Sequence, residues 1–259
     1  RDMTRMHGTQ GIGVISDYDV DGVSSAALLQ LFLRAVGSDC AVHIPDRLTE
    51  GYGPSAYAVS SLREQGVQVL VTLDCGVAAH DPLAHAAELG LTTIIIDHHQ
   101  AGAALPEAHA VINPNRQDDV SGLGHLCAAG VTMIFVAAVN RQLRQRGWYG
   151  PSRPEPNMLQ WLELVALATV CDVVPLKGLN RAYVAQGLKI MARRENPGLA
   201  ALADVARLKR KPDPYALGFM LGPRLNAAGR IGNAALAFRL LTTRDRGEAA
   251  MLAQDLEKL

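Results

Sequence analysis

Apolar positions along the chain follow two alternating rhythms. Short β-branched runs occupy 11–16, 41–45, 67–73, 92–96 and 110–112. Longer stretches with apolar residues three and four apart occupy 23–36, 54–65, 79–89, 124–146, 158–170, 180–193, 197–204, 232–241 and 245–259. The first kind predicts strands and the second amphipathic helices. Strand alternating with helix calls for crossover connections, so the fold class is α/β: a mostly parallel sheet with helices on both faces. Nearly all strands precede residue 146, and the remainder of the chain reads as a helical C-terminal segment. Because 124–146 and 158–170 are both strongly apolar, both are expected to pack on the sheet, which makes the Pro-rich stretch 150–156 a surface loop. A weaker break falls at Glu195-Asn196-Pro197-Gly198. Asp245-Arg246-Gly247-Glu248 has capping-box spacing, and Leu252, Leu256 and Leu259 carry the apolar stripe of that helix to the last residue without a stop signal. The expectation is that the chain is a fragment of something longer.

Composition narrows the class without choosing a function. At 259 residues and 49% apolar the chain can bury one large core or two small ones. Its 25 basic and 25 acidic residues cancel, which neither favours nor excludes nucleic acid, since a local basic groove can coexist with an acidic site. Cys40, Cys75, Cys127 and Cys171 are isolated, so neither a thiolate zinc site nor a disulfide framework is indicated and a reducing, cytoplasmic setting fits. No apolar stretch approaches the roughly 20 residues of a membrane span, so no membrane association is expected.

The chemistry starts at Ser16-Asp17-Tyr18-Asp19-Val20-Asp21-Gly22, where carboxylates occupy every second residue between a predicted strand and a predicted helix. Like charges about 5 Å apart repel by roughly 3 kcal/mol per pair at an effective dielectric near 20, so such a cluster calls for cations or protons. In a parallel sheet, ligands gather beyond the carboxyl ends of the strands. Strand 11–16 ends at Asp17, strand 67–73 at Asp74 and strand 92–96 at Asp97-His98-His99, while Asp172 closes an apolar helical run just before Pro175. Taken singly, each has an ordinary explanation as turn former, helix cap or loop residue. Their coincidence at four element ends points to a metal site. Carboxylates with one or two imidazoles suit Mn²⁺ or Mg²⁺ better than structural zinc, and two such ions form the usual device for phosphoester hydrolysis.

Asp17-Tyr18-Asp19-Val20-Asp21-Gly22, Leu73-Asp74-Cys75-Gly76-Val77, Asp97-His98-His99 and Cys171-Asp172-Val173-Val174-Pro175-Leu176 resemble, in order, the four motifs of the DHH phosphoesterase superfamily. Gly222-Pro223-Arg224-Leu225-Asn226-Ala227-Ala228-Gly229-Arg230 resembles the additional signature of its RecJ branch, the single-strand-specific 5′→3′ exonucleases. The resemblance runs from about residue 11 to the end. It implies that Asp17, Asp19, Asp74, His98 and Asp172 are metal ligands for two Mn²⁺ or Mg²⁺ ions, with Asp74 bridging and Asp21 in support. Asp97 would orient a histidine through its ring N–H. His99, where it is not itself a ligand, would face the scissile phosphate, to stabilise charge or protonate the leaving 3′ oxygen. Arg224, Asn226 and Arg230 would grip the phosphate backbone. Arg47 and the segment Gly51-Tyr52-Gly53 would form a substrate loop.

The division implied is a catalytic domain over 1–195 and a helical RecJ-type segment over 196–259, which starts an interdomain helix. The partner implied is single-stranded DNA, handled by a monomer alongside a single-strand-binding protein or helicase, in repair and recombination. Against that branch, the expectation is that the helical segment ahead of the first motif is reduced to 1–10 and that the second, substrate-gripping domain is missing from this stretch. Two alternatives stand beside it. One is a hydrolase of short oligonucleotides, cyclic dinucleotides or polyphosphate, against which the 224–230 segment speaks. The other is an inactive DNA-binding scaffold, against which the intact ligand positions speak.

Overall fold

The computed structural model describes residues 11–259, so the short segment 1–10 ahead of the first motif lies outside it. All five predicted strands form: β1 (Gly11–Ser16), β2 (Ala41–His43), β3 (Val67–Leu73), β4 (Thr92–Ile96) and β5 (Ala110–Ile112). They make one fully parallel sheet in the order β2-β1-β3-β4-β5. The chain leaves β1 in one direction for β2 and fills the other side with β3, β4 and β5. The crevice between β1 and β3 is therefore the point where strand order reverses.

Helices cover both faces, as an all-parallel sheet requires. α1 (Val20–Ala35) and α4 (Ala128–Gln145) lie on one face, and α2 (Ala56–Glu64) and α3 (His80–Glu88) on the other. Ile15, Leu62, Leu70, Leu83 and Ile95 form the core beneath α2 and α3. Beneath α1 and α4 lies a larger core that includes Leu28, Phe32, Leu73 and Ile96.

One packing expectation is corrected. α5 (Leu162–Cys171), entered through a 3₁₀ turn at Met158–Trp161, does not share the sheet face with α4 but packs on α1, α4 and α6 (Gly178–Met191). Every residue from Leu162 to Thr169 is buried, so the helix has no polar side to turn to solvent, and enclosure by other helices satisfies it better than one flat sheet does. α7 (Pro197–Val205), α8 (Gly222–Arg230), α9 (Ala234–Thr242) and α10 (Arg246–Glu257) close over the outer side of α1. Leu28 and Leu164 share one apolar cluster with Leu202, Leu240 and Leu256, so side chains from both sides of residue 195 contribute to it. Among the described residues no helix is long and apolar enough to cross a membrane.

α8 and the π-helical stretch Ala216–Leu221 that runs into it have no counterpart in the apolar pattern. Gly222-Pro223 reads as a turn, yet here it stands at the junction where the π-helical stretch passes into α8. α10 begins where the capping box places it, with the Asp245 carboxylate accepting the Glu248 N–H at 2.6 Å.

Glu163 is the misfit of this core. Its side chain is buried at the start of α5, and its Oε2 has no hydrogen-bond partner among the described residues. Burial, with a smaller contribution from the nearby Glu195, pushes it up to about 8. The folded state therefore holds a proton that the unfolded chain releases near pH 4.5, so stability is greatest below that value and falls as pH rises towards 8. Glu163→Gln is expected to flatten this decline and to stabilise the protein above pH 8 by on the order of a few kcal/mol. Urea denaturation of both proteins at pH 5 and pH 9 measures it; equal stability gaps at the two pH values would contradict it.

Candidate metal centre

The strand ends set the geometry. The Asp17 N–H donates to the Leu73 carbonyl at 3.1 Å, the Asp74 N–H to Ile96 at 3.0 Å and the Asp97 N–H to Ile112 at 3.1 Å. Each acid thus extends the ladder one step past its strand, and the three stand side by side on adjacent strands at the carboxyl edge. Asp74 takes a left-handed backbone, φ 59°, which turns its side chain back over the crevice. Val173, directly after Asp172, is also left-handed at φ 58°, a costly conformation for a β-branched residue. Asp172 itself closes α5 and presents its carboxylate from the helical side.

The three acids of the first motif separate cleanly. Asp19 is the N-cap of α1: its Oδ1 accepts the N–H groups of Asp21 and Gly22 at 2.9 and 3.0 Å, which leaves Oδ2 free to face the crevice. Asp21 is buried and engages both oxygens at the start of α4, accepting from Ala128 N–H at 2.6 Å and Ala129 N–H at 2.8 Å. These two N–H groups offset part, but only part, of the upward push that burial and the neighbouring carboxylates exert on Asp21. Asp21 therefore caps not its own helix but the one that packs beside it.

Carboxylate and imidazole atoms converge in overlapping sets. Donor atoms of Asp17, Asp19 and Asp74 lie within 4.8 Å of one another, as do those of Asp74, His98 and His99, and those of Asp21, His98 and Asp172. His98 Nε2 is 3.3 Å from Asp74 Oδ1 and 3.8 Å from Asp172 Oδ2. Asp74 is thus common to two sets and His98 to two. Burial first, and then the neighbouring carboxylates, push Asp17 up to about 7, Asp21 to about 8 and Asp172 to about 6, and raise Asp74 well above the carboxylate range. Asp17 Oδ1, Asp74 Oδ1 and Asp172 Oδ2 are buried without a hydrogen-bond partner among the described residues. Buried carboxylate oxygens left without a hydrogen-bond partner and lying in overlapping donor sets are what hard divalent cations require.

His99 plays a different part from His98. Its Nδ1 is 2.7 Å from Asp97 Oδ1, and this hydrogen bond raises its pKa and fixes the ring. Burial alone would raise Asp97, but hydrogen bonds from His99 and from the backbone of Val77 outweigh it and hold the carboxylate ionised. The Tyr52 hydroxyl donates to the Asp74 carbonyl at 3.0 Å and packs its ring edge-on to His99. Arg47 lies over the Tyr18 ring, 5.6 Å from its centre. Two residues that the sequence motifs do not single out belong here. Asn113 Nδ2 donates to the His99 carbonyl at 2.9 Å and Asn115 Nδ2 to the His98 carbonyl at 2.5 Å, pinning the histidine pair. Their signal is the Asn113-Pro114-Asn115 turn at the end of β5.

α8 completes one wall. Asn226 Oδ1 accepts the Val20 N–H at 3.1 Å, tying the helix to the acidic loop. Arg224 does not face that loop: its guanidinium pairs with Glu257 of α10 and donates to the Met220 carbonyl at 2.7 Å. Arg230 is exposed, with no ion pair to a described residue. Gly229 sits so close to the loop that a Cβ there would lie 2.5 Å from the Tyr18 carbonyl oxygen.

The model of the DHH family, N-terminal domain, matches residues 11–169. The single-stranded-DNA-specific exonuclease RecJ of Salmonella typhimurium is 41% identical over 252 residues, which cover 95% of this chain and 43% of that protein. The chain therefore spans less than half the length of this curated relative. A crystal structure of exonuclease RecJ bound to manganese superposes with a TM-score of 0.84 at 34% identity, covering 96% of this chain and 60% of that one. The Mn²⁺ complex of RecJ from Thermus thermophilus gives 0.80 at 31% identity, covering 96% and 34%.

Because Gly229 lets α8 touch the Tyr18 carbonyl, Gly229→Ala is expected to push the helix off the acidic loop and to cost about 1–3 kcal/mol, the usual range for overpacking. Ala227→Gly, on the more open side of the same helix, should cost no more than about 1 kcal/mol. Chemical denaturation compares them; a Gly229→Ala protein as stable as the parent would show that the contact does not constrain the loop.

Proposed function

The chain belongs to the DHH family, and on that premise we propose that it is the nuclease core of a RecJ-type, single-stranded-DNA-specific 5′→3′ exonuclease. The observation that carries this reading is the convergence of Asp17, Asp19, Asp74, His98 and Asp172 on one crevice with buried, unpaired carboxylate oxygens. These five residues would hold two Mn²⁺ or Mg²⁺ ions, with Asp74 shared between them. Bound there, the ions would supply Lewis acidity towards the phosphate and a water acidified enough to attack it at neutral pH.

The chain's own groups do the rest. His99, fixed by Asp97 through Nδ1, presents Nε2 from a half-exposed ring and carries its proton to higher pH than a free histidine. It can hold the developing charge on a phosphate oxygen or return a proton to the leaving 3′ oxygen. Asp21, both oxygens engaged, keeps α4 seated and leaves ligation to its neighbours. Of the three residues proposed for the phosphate backbone, Arg230 is the one with a free guanidinium. Asn226 acts by holding the acidic loop against α8, and Arg224 by fastening α8 to α10. Tyr52 and Arg47 bring the loop after β2 beside the same crevice.

A single strand suits this reading because its unpaired end can bring the terminal phosphate to the carboxyl edge where the candidate ligands converge. The setting proposed is the cytoplasm, where the four free cysteines stay reduced and where single strands are supplied by helicases and single-strand-binding proteins.

Asp74→Asn tests the reading. The change keeps shape and replaces a carboxyl that burial and its neighbours already push towards the neutral form, so the thermal midpoint of the metal-free protein should hold, while Mn²⁺-dependent release of nucleotides from 5′-labelled single strands falls at least about a thousandfold. Near-normal turnover in the variant would overturn the shared-ligand assignment. Equal digestion of duplex DNA, or preference for polyphosphate, would overturn the substrate.

A further inference from the structure

The helix that walls the metal centre also carries an exposed pair of aromatic rings that the metal centre does not use. Tyr215 and Phe219 stack with centroids 5.0 Å apart and planes 24° apart, and they are 58% and 70% exposed. They stand at the start of the π-helical stretch, which runs without a break into α8. Large apolar rings held face to face in water, four residues apart on a well-formed helix, call for an occupant.

The placement selects that occupant. The π-helical stretch is seated on the end of α5: the Cys171 thiol donates to the Leu217 carbonyl, and Gly218 packs beside Val170, two residues before Asp172. At its far end the same helix touches Tyr18 and Val20 of the acidic loop. Positions 215, 219, 223 and 230 are all exposed and fall on one side of it, so a track leads from Arg230, beside the acidic loop, over Pro223 to the two rings. Its length is about 22 Å at 1.5 Å per residue. Upstream of Tyr215 the segment Lys209-Arg210-Lys211 adds positive charge, and neither lysine has a carboxylate partner among the described residues. Aromatic rings alone suit either a protein partner or bases, but protein interfaces are poor in lysine, which the segment beside these rings is not. Flat rings preceded in the chain by those two lysines, with Arg210 held by Asp213 between them, and followed along the helix by Arg230 fit unpaired bases and a phosphate backbone.

We propose that Tyr215 and Phe219 form a base-stacking platform that holds a single strand several nucleotides away from the bond being cut. This rests on the nuclease reading for the direction of the track, and it deepens it by assigning the grip on the distal strand. The strand stacks on the rings and follows α8 to Arg230 and the metal centre. Strands too short to reach the rings gain nothing from them.

The test compares the parent with Tyr215→Ala/Phe219→Ala, using a dinucleotide and a twelve-nucleotide oligo(dT), with Mn²⁺ present. Both side chains are exposed, so the thermal midpoint should not move. The KM for the long strand should rise about tenfold or more, with kcat retained and with the dinucleotide KM within about twofold of the parent. In a second arm, Phe219→Trp preserves stacking, and emission of the introduced indole should be quenched by the long strand at the concentration that half-saturates anisotropy of a fluorescent oligo(dT). An unchanged long-strand KM, or an indole unaffected at saturation, overturns the platform. So does a parent that dimerises through these rings, shown by sedimentation, with no effect of the double variant on KM. Anisotropy keeps the two readings apart. A chain that binds the long strand through the rings and cuts nothing upholds the platform and contradicts the nuclease. A chain that cuts single strands with no dependence on the rings does the reverse.

Discussion

Carboxylates crowded at one edge of a sheet repel each other, and here the repulsion is built in by the hydrogen-bond ladder itself. Asp17, Asp74 and Asp97 each donate their backbone N–H to the neighbouring strand, so parallel pairing delivers three acids to one line whatever their side chains prefer. Asp19 and Asp172 add to them from the helical side. Burial raises the pKa of most of these acids, because charge is expensive away from water. The protein relieves this in two ways. Asp97 is held ionised by His99 and backbone N–H groups, while Asp21 has both oxygens hydrogen-bonded at the start of α4 but is still pushed up by burial. The others keep open oxygens, and that remainder of unmet charge is what makes the crevice a cation site.

Much of the surrounding structure can be understood as support for this edge. The β1/β3 switch point opens the crevice, two left-handed residues aim or follow the ligands, and Asn113 and Asn115 hold the histidine pair by its backbone. α5 is buried along nearly its whole length, which lets it run through the helical layer and bring Asp172 to the sheet edge without a solvated face. α8 touches the acidic loop through a glycine and an asparagine, so the wall on that side is close and well fixed.

Sheet and crevice are legible in the sequence because β-branched runs and strand-end acids are local signals that a parallel fold converts into one edge. The partner of each acid is not legible. Asp19 and Asp21 both sit just ahead of the same apolar run, so nothing local distinguishes the helix cap from the acid that reaches across to Ala128, more than a hundred residues away. Arg224 resembles Arg230 by pattern, yet its guanidinium is engaged by Glu257, a long-range contact that pattern cannot show. The place of α5 is hidden for the same reason: a helix apolar all round does not say which neighbours enclose it. α8 is masked by its Gly-Pro opening and its internal glycine, which serve close packing and not chain reversal.

The most direct measurement is anomalous diffraction from crystals of the chain equilibrated with Mn²⁺. Two anomalous peaks are expected in the crevice, one among Asp17, Asp19 and Asp74 and the other among Asp74, His98 and Asp172, with Asp74 in contact with both. Density for manganese elsewhere, or an empty crevice at saturating metal, would contradict the view that unmet carboxylate charge at this sheet edge is what the fold is arranged to present.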